Sequence, residues 1–222
     1  MNIKTVSYYL KMELKNSQRL GLSKIRRKMI NKSNFTIISN NCWGGMIYES
    51  YGLIKQTPTV GLYFLPKDYI KFIGNLEYYL SQKLKFIDPY SSKNLRAIKE
   101  IVKDKHYGEY PVGKIDDIEI YFLHYRSKKS AFEKWNRRIN RIDFNHILFK
   151  FNDQNGCSLE DLINFKNLNL KNKICFTVLD NFKGEKEFIH IKDTQHNGFV
   201  DVFDEPFGKS KYLDVNLLIN EL

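Results

Sequence analysis

The chain has 222 residues, enough for one sizeable core, and its 42% hydrophobic and 14% aromatic content excludes a disordered tail. A formal net charge of +11 points to an anionic partner. No apolar run approaches the roughly 18 residues of a membrane span, and no apolar signal core opens the chain, so a cytoplasmic protein is expected.

In chain order, apolar residues at helical spacing predict a basic helix, or a broken pair, over 8–30, interrupted near Gly21. The β-branched run 35–39 predicts a buried strand, after which Asn40-Asn41-Cys42-Trp43-Gly44-Gly45 leads into a helix over 46–51. A second strand is expected over 57–64 and a helix over 69–81, with Asp68 at its cap or in its first turn. A helix over 92–103 precedes a glycine- and proline-bearing loop, 106–113. The run 118–123 predicts a strand ending at His124-Tyr125, and Ser127 or Ser130 caps a helix reaching 142. Strands over 146–151 and 173–178 flank a short helix at 159–165. A strand over 188–191, with antiparallel pairing left open, and a C-terminal helix within 210–222 complete the chain. Strands alternating with helices predict an α/β domain of residues 1–222, its mostly parallel sheet covered on both faces. Two weakly separated lobes, 34–125 and 143–222, would meet near 125–145. No repeat or low-complexity linker divides the chain.

Charge is concentrated rather than spread. Residues 1–33 carry +8, and residues 126–141 carry +6. The three cysteines, Cys42, Cys157 and Cys175, have no CxxC spacing, which fits a reducing compartment and gives no zinc signature.

Three segments combine unusual chemistry with predicted strand ends, where open α/β sheets place their ligands. In the first, Gly44 and Gly45 allow close backbone approach and a helix start that favours an anion. Asn40 and Asn41 suit sugar hydroxyls or a base edge, and Trp43 suits stacking. Cys42 is either a nucleophile or core packing, and no histidine adjoins it in sequence. The whole segment reads equally as a tight turn with asparagine caps over a buried tryptophan. In the second, His124 is either a general acid or base or a satisfied structural histidine, and Tyr125 adjoins it. In the third, Ala131, Trp135, Ile139 and Ile142 form an apolar helix face. Lys134, Arg137, Arg138 and Arg141 form a separate stripe that suits a diphosphate, or else a solvated face. Arg138 lies nearest the apolar side. GxSxG, HExxH, Walker A, GxGxxG and Asp-x-Asp motifs are absent, so no metal or cofactor is implied.

The segment 39–45, Pro58-Thr-Val-Gly-Leu62, Asp68-Tyr-Ile-Lys-Phe72, Tyr110-Pro-Val-Gly113, His124-Tyr125 and Lys134-Trp-Asn-Arg-Arg138 resemble, in this order, a bacterial family. It is domain of unknown function 1919, often labelled exopolysaccharide biosynthesis protein. The resemblance implies a Rossmann-like three-layer α/β/α fold and a role in capsule or exopolysaccharide synthesis. It supplies no catalytic residue.

The expected function is a transferase of polysaccharide assembly using a nucleotide-sugar donor. Arg137 and Arg138 would hold the diphosphate, residues 40–45 the sugar or base, and His124 or Asp68 would act as base. The N-terminal basic segment would rest on the anionic inner membrane face near a lipid-linked or saccharide acceptor. Transfer of an acyl or other substituent and a non-enzymatic accessory role are the alternatives. Nucleic-acid binding has no reader motif behind it.

Overall fold

A computed structural model describes residues 13, 14, 17, 18, 20–192 and 197–222. Part of the predicted helix over 8–30, at 8–12, 15, 16 and 19, therefore lies outside the described residues. Its described part includes the short helix Ser23–Arg27.

Four strands form a parallel sheet in the order β1 (Thr36–Ser39), β5 (Ile147–Asn152), β6 (Lys173–Thr177) and β7 (Phe188–His190). Alternation along these strands builds two cores, because successive side chains point to opposite faces. Ile38, Phe149, Phe151 and Cys175 join one cluster with Tyr69, Phe72, Trp135, Leu162 and Phe165. Ile37, Leu148, Ile174 and Phe176 join the other with Trp43, Ile47, Tyr48, Val215 and Ile219. The first cluster is covered by helices α2 (Pro66–Gly74), α3 (Lys128–Ile139) and α4 (Leu159–Asn167), and the second by α1 (Trp43–Ser50) and α5 (Val215–Asn220). This is the expected three-layer α/β/α arrangement.

The excursion between β1 and β5 carries a separate antiparallel meander: β2 (Lys85–Ile87), β3 (Val112–Ile115) and β4 (Ile118–Tyr121). Strand 118–123 was expected in the parallel sheet and belongs here instead. β3 lies partly in the span expected to be a loop. The end of 57–64 is a bridge between the sheets rather than a strand. Tyr63 exchanges both backbone hydrogen bonds with Tyr121 (2.9 and 3.0 Å), and the Phe64 N–H donates to the Asn40 carbonyl at 3.0 Å. β7 pairs parallel to β6, not antiparallel.

Local chemistry explains the helix ends. The Ser127 hydroxyl accepts from the Ser130 N–H at 3.2 Å and starts α3. Ser158 and Asp161 form a capping box at α4. The predicted helix over 69–81 breaks at Asn75, leaving α2 and the short helix Leu76–Ser81.

Candidate functional site

Beyond the carboxyl end of β1, a cleft of about 610 Å3 opens between α1, α3 and the loop carrying Val202 and Phe203. Six sequence candidates line it: Cys42, Gly45, His124, Tyr125, Lys134 and Arg138. They come from two distant stretches, 42–45 and 124–138, joined because residues 60–61 run between β1 and the end of β4. The His124 N–H donates to the Gly61 carbonyl at 2.9 Å. Gly61 has φ +70°, and a Cβ there would stand 3.2 Å from His124 Cβ and 3.3 Å from Tyr125 Cε2. Only glycine lets this turn pass beneath the two side chains.

Arg138 is 8% exposed, as its place near the apolar side of α3 suggested. Its Nη1 donates to the Tyr125 hydroxyl at 2.5 Å, and that hydroxyl donates to the Val60 carbonyl at 2.6 Å. Burial pushes the Tyr125 phenol pKa up, while the Arg138 charge pulls it back. Lys134 Nζ lies 5.3 Å from the centre of the Tyr125 ring. Lys55, a further cation of the cleft wall, pairs with Glu49 at 2.5 Å. Among the described residues, neither Lys134 nor Arg138 forms a salt bridge to a carboxylate. Unbalanced positive charge therefore faces the cavity.

His124 is solvent-exposed on one side. The protein shields its other side from water, which lowers its pKa from the usual 6.5, while Glu49 pulls the other way. The imidazole is thus neutral at pH 7 and able to accept a proton. Because the folded state binds this proton less readily, acid favours the unfolded chain. Stability is expected to fall as pH drops from about 6.5 through the folded pKa. A proton NMR titration should place His124 below 6.5. In urea melts against pH, His124→Asn should weaken that acid loss.

The other candidates lie elsewhere. Arg137 and Arg141 are exposed, and neither lines this cleft. Asp68 is outside it and 4% exposed. Its carboxylate accepts from Lys93 Nζ (2.7 Å), Asn94 Nδ2 (3.0 Å) and the Glu119 N–H (3.0 Å), tying α2 to the meander. A carboxylate so occupied is a poor base for a substrate in the cleft. Trp43 is 1% exposed, and its Nε1 donates to the Pro206 carbonyl at 2.8 Å, so its ring is core rather than a stacking platform. Gly44 serves close packing. A Cβ there would meet Ser39 Oγ at 2.9 Å and the Ile37 carbonyl at 3.2 Å. The first N–H groups of α1 are already used, Trp43 N donating to Asn41 Oδ1 and Gly44 N to Ser39 Oγ. The anion site expected at this helix start is therefore closed by the chain's own side chains.

Asn40 and Asn41 are buried in a polar network that sequence reading missed. Lys150, in the central strand β5, and Glu205, in the cleft-wall loop, form an ion pair with 0% side-chain exposure at both partners. Lys150 Nζ also donates to Asn41 Oδ1 at 2.9 Å. Glu205 Oε1 accepts from Asn41 Nδ2 (3.1 Å) and Asn152 Nδ2 (2.8 Å), while Asn40 Nδ2 donates to Asn152 Oδ1 at 2.8 Å. Burial lowers the Lys150 pKa and raises that of Glu205, and each partner opposes the other's shift. The legible signal was a lysine inside Ile147-Leu-Phe-Lys-Phe, a run otherwise apolar. Among the described residues, no group of three or more His, Cys, Asp or Glu could hold a metal ion.

Fold and cleft together define an open-sheet, three-layer α/β protein with a cation-lined cavity at the carboxyl edge of its parallel sheet. Within that class, the chain belongs to the family described as Domain of unknown function (DUF1919), whose model matches residues 7–218. It is also 30% identical over 207 residues to an uncharacterized protein of Haemophilus influenzae, with 92% of each chain covered.

Proposed function

We propose that the protein is a transferase of cell-surface polysaccharide assembly that takes a nucleotide-sugar donor in the cleft beside α3. The observation carrying this reading is the pair Lys134 and Arg138, unmatched by a carboxylate in a cavity of about 610 Å3. That volume is in the range of small-molecule sites. A buried guanidinium held, among the described residues, by a phenol favours an anion, and a diphosphate offers one in bidentate geometry. In this reading Arg138 and Lys134 stabilise the departing diphosphate, and neutral His124 removes the proton of the acceptor hydroxyl. Exposed Leu22, Ile25 and Met29 stand beside Lys24 and Lys28 on the N-terminal helical segment. Such a surface suits an anionic membrane carrying a lipid-linked acceptor. No helix among the described residues is long and apolar enough to cross a membrane.

A thermal-shift series with UDP, GDP and their sugar conjugates tests the reading. At about 100 times its dissociation constant, the right nucleotide should add about 2.7 kcal/mol of stability. Arg138→Gln should abolish the shift. No response to any nucleotide or nucleotide sugar sinks the proposal. A second reading rests on Cys42 and His124 lining one cavity, a pairing suited to acyl transfer through a thioester. Turnover of labelled acetyl-CoA, lost in Cys42→Ser, would favour it over sugar transfer.

A further inference from the structure

Two more cavities lie near the cleft. One, of about 690 Å3, is lined by Asn34, Gln56, Asn140, Arg141, Phe144 and Asn145 among others. The next, of about 390 Å3, shares Phe144 and Asn145 with it. The cleft and the 690 Å3 cavity are neighbours because two elements wall both. Along 54–56, Lys55 lines the cleft while Ile54 and Gln56 line the second cavity. Along α3 and the turn after it, Lys134 and Arg138 line the cleft while Asn140 and Arg141 line the second cavity. At about 1.5 Å of rise per residue, Lys134 and Arg141 stand only about 10 Å apart along the axis. The second and third cavities, which share Phe144 and Asn145, form one trough near the cleft, with Phe144 between them.

The trough differs from the cleft in charge. Lys55, Lys134 and Arg138 line the cleft against Glu49, whereas the second cavity is lined by one cation and one carboxylate, Arg141 and Asp143, and the third likewise by Lys171 and Glu77. What replaces charge is amide. Asn34 is engaged with Asp143 at 2.6 Å and Gln56 with the Ser33 carbonyl at 3.0 Å. The Asn140 and Asn145 side-chain amides have no hydrogen-bond partner among the described residues. Each offers both a donor and an acceptor. Phe144 is 50% exposed and Ile54 69%, so apolar surface stands beside these amides. Uncharged amides next to an open aromatic face match a ligand with many hydroxyls and an apolar ring face. Single-stranded nucleic acid also uses aromatic platforms, but it requires a cationic track, whereas the lining charges of each trough cavity cancel.

We infer that the trough beyond the cleft is a saccharide-binding groove, which holds an oligosaccharide across Phe144. That this saccharide is the acceptor rests on the transferase reading; the binding does not.

The test is a titration of 15N-labelled full-length protein with maltotetraose, cellotetraose and tetra-N-acetylchitotetraose, following the side-chain amide signals of Asn140 and Asn145. At least one should shift both signals, and Phe144→Ala should weaken that binding about tenfold or more. Because Phe144 is exposed, this variant should fold as the parent does, and its nucleotide response should persist. Arg138→Gln should leave the saccharide titration intact, so failure of the cleft reading is separable from failure of the groove. Three silent tetrasaccharides at millimolar concentration would overturn the inference. So would undiminished binding by Phe144→Ala, or shifts caused by octauridylate at physiological salt and by no saccharide.

Discussion

Lys150→Met should cost about 3–5 kcal/mol in urea unfolding, because it strands the Glu205 carboxylate inside the protein without its counter-charge. Both side chains of the pair have 0% exposure, and Lys150 Nζ sits 5.3 Å from the Phe176 ring centre and 5.9 Å from that of Trp43. Water cannot replace the lost partner there. The double variant Lys150→Met/Glu205→Gln removes both charges while keeping an oxygen to accept from Asn41 and Asn152. It should recover more than half of the loss, so the two changes are far from additive. Equal losses in single and double variants would show that the pair is not what holds the loop. Val202 and Phe203 line the cleft two or three residues before Glu205, so the single variant should also blunt the nucleotide response.

Trp43→Ala should cost about 3–5 kcal/mol, the usual penalty for emptying a large aromatic site in a core. Trp43 meets Phe176 edge-on at 5.4 Å between ring centres and donates to the Pro206 carbonyl at 2.8 Å. Trp43→Phe keeps much of the apolar area and loses the donor, leaving that carbonyl unpaired. Its expected cost is about 1–3 kcal/mol. Nucleotide affinity in Trp43→Phe should stay close to the parent's, as measured by thermal shift or calorimetry. A stacking residue would behave the other way, losing affinity with little change in stability. That pattern would contradict a core role for Trp43.

The layers of the fold were legible because parallel strands buried on both faces read as apolar runs. The runs 35–39, 146–151 and 173–178 correspond to β1, β5 and β6 within a residue or so. The stripe on α3 was legible too, since helical periodicity alone places Arg138 toward the apolar side. Periodicity does not encode pairing partners. Strand 118–123 reads as apolar enough for either sheet, while β2 has only three residues and β3 is a short strand carrying Gly113, so neither stands out. The polar residues at the end of β1 were singled out as unusual, but their chemistry could not be divided from their order. Cys42 and Gly45 face the cleft, while Asn40, Asn41 and Trp43 turn inward.

By itself the sequence determined the α/β class, the clustering of positive charge and the set of segments that reach strand ends, because each depends on local spacing and composition. Only the tertiary structure decided which of those segments meet. It joins His124 and Tyr125 to Arg138 across Gly61, sets Asp68 apart and encloses Lys150 with Glu205. The physical reason is that burial and counter-charge come from residues distant along the chain. A side chain's role follows from what surrounds it, and no local pattern specifies its surroundings.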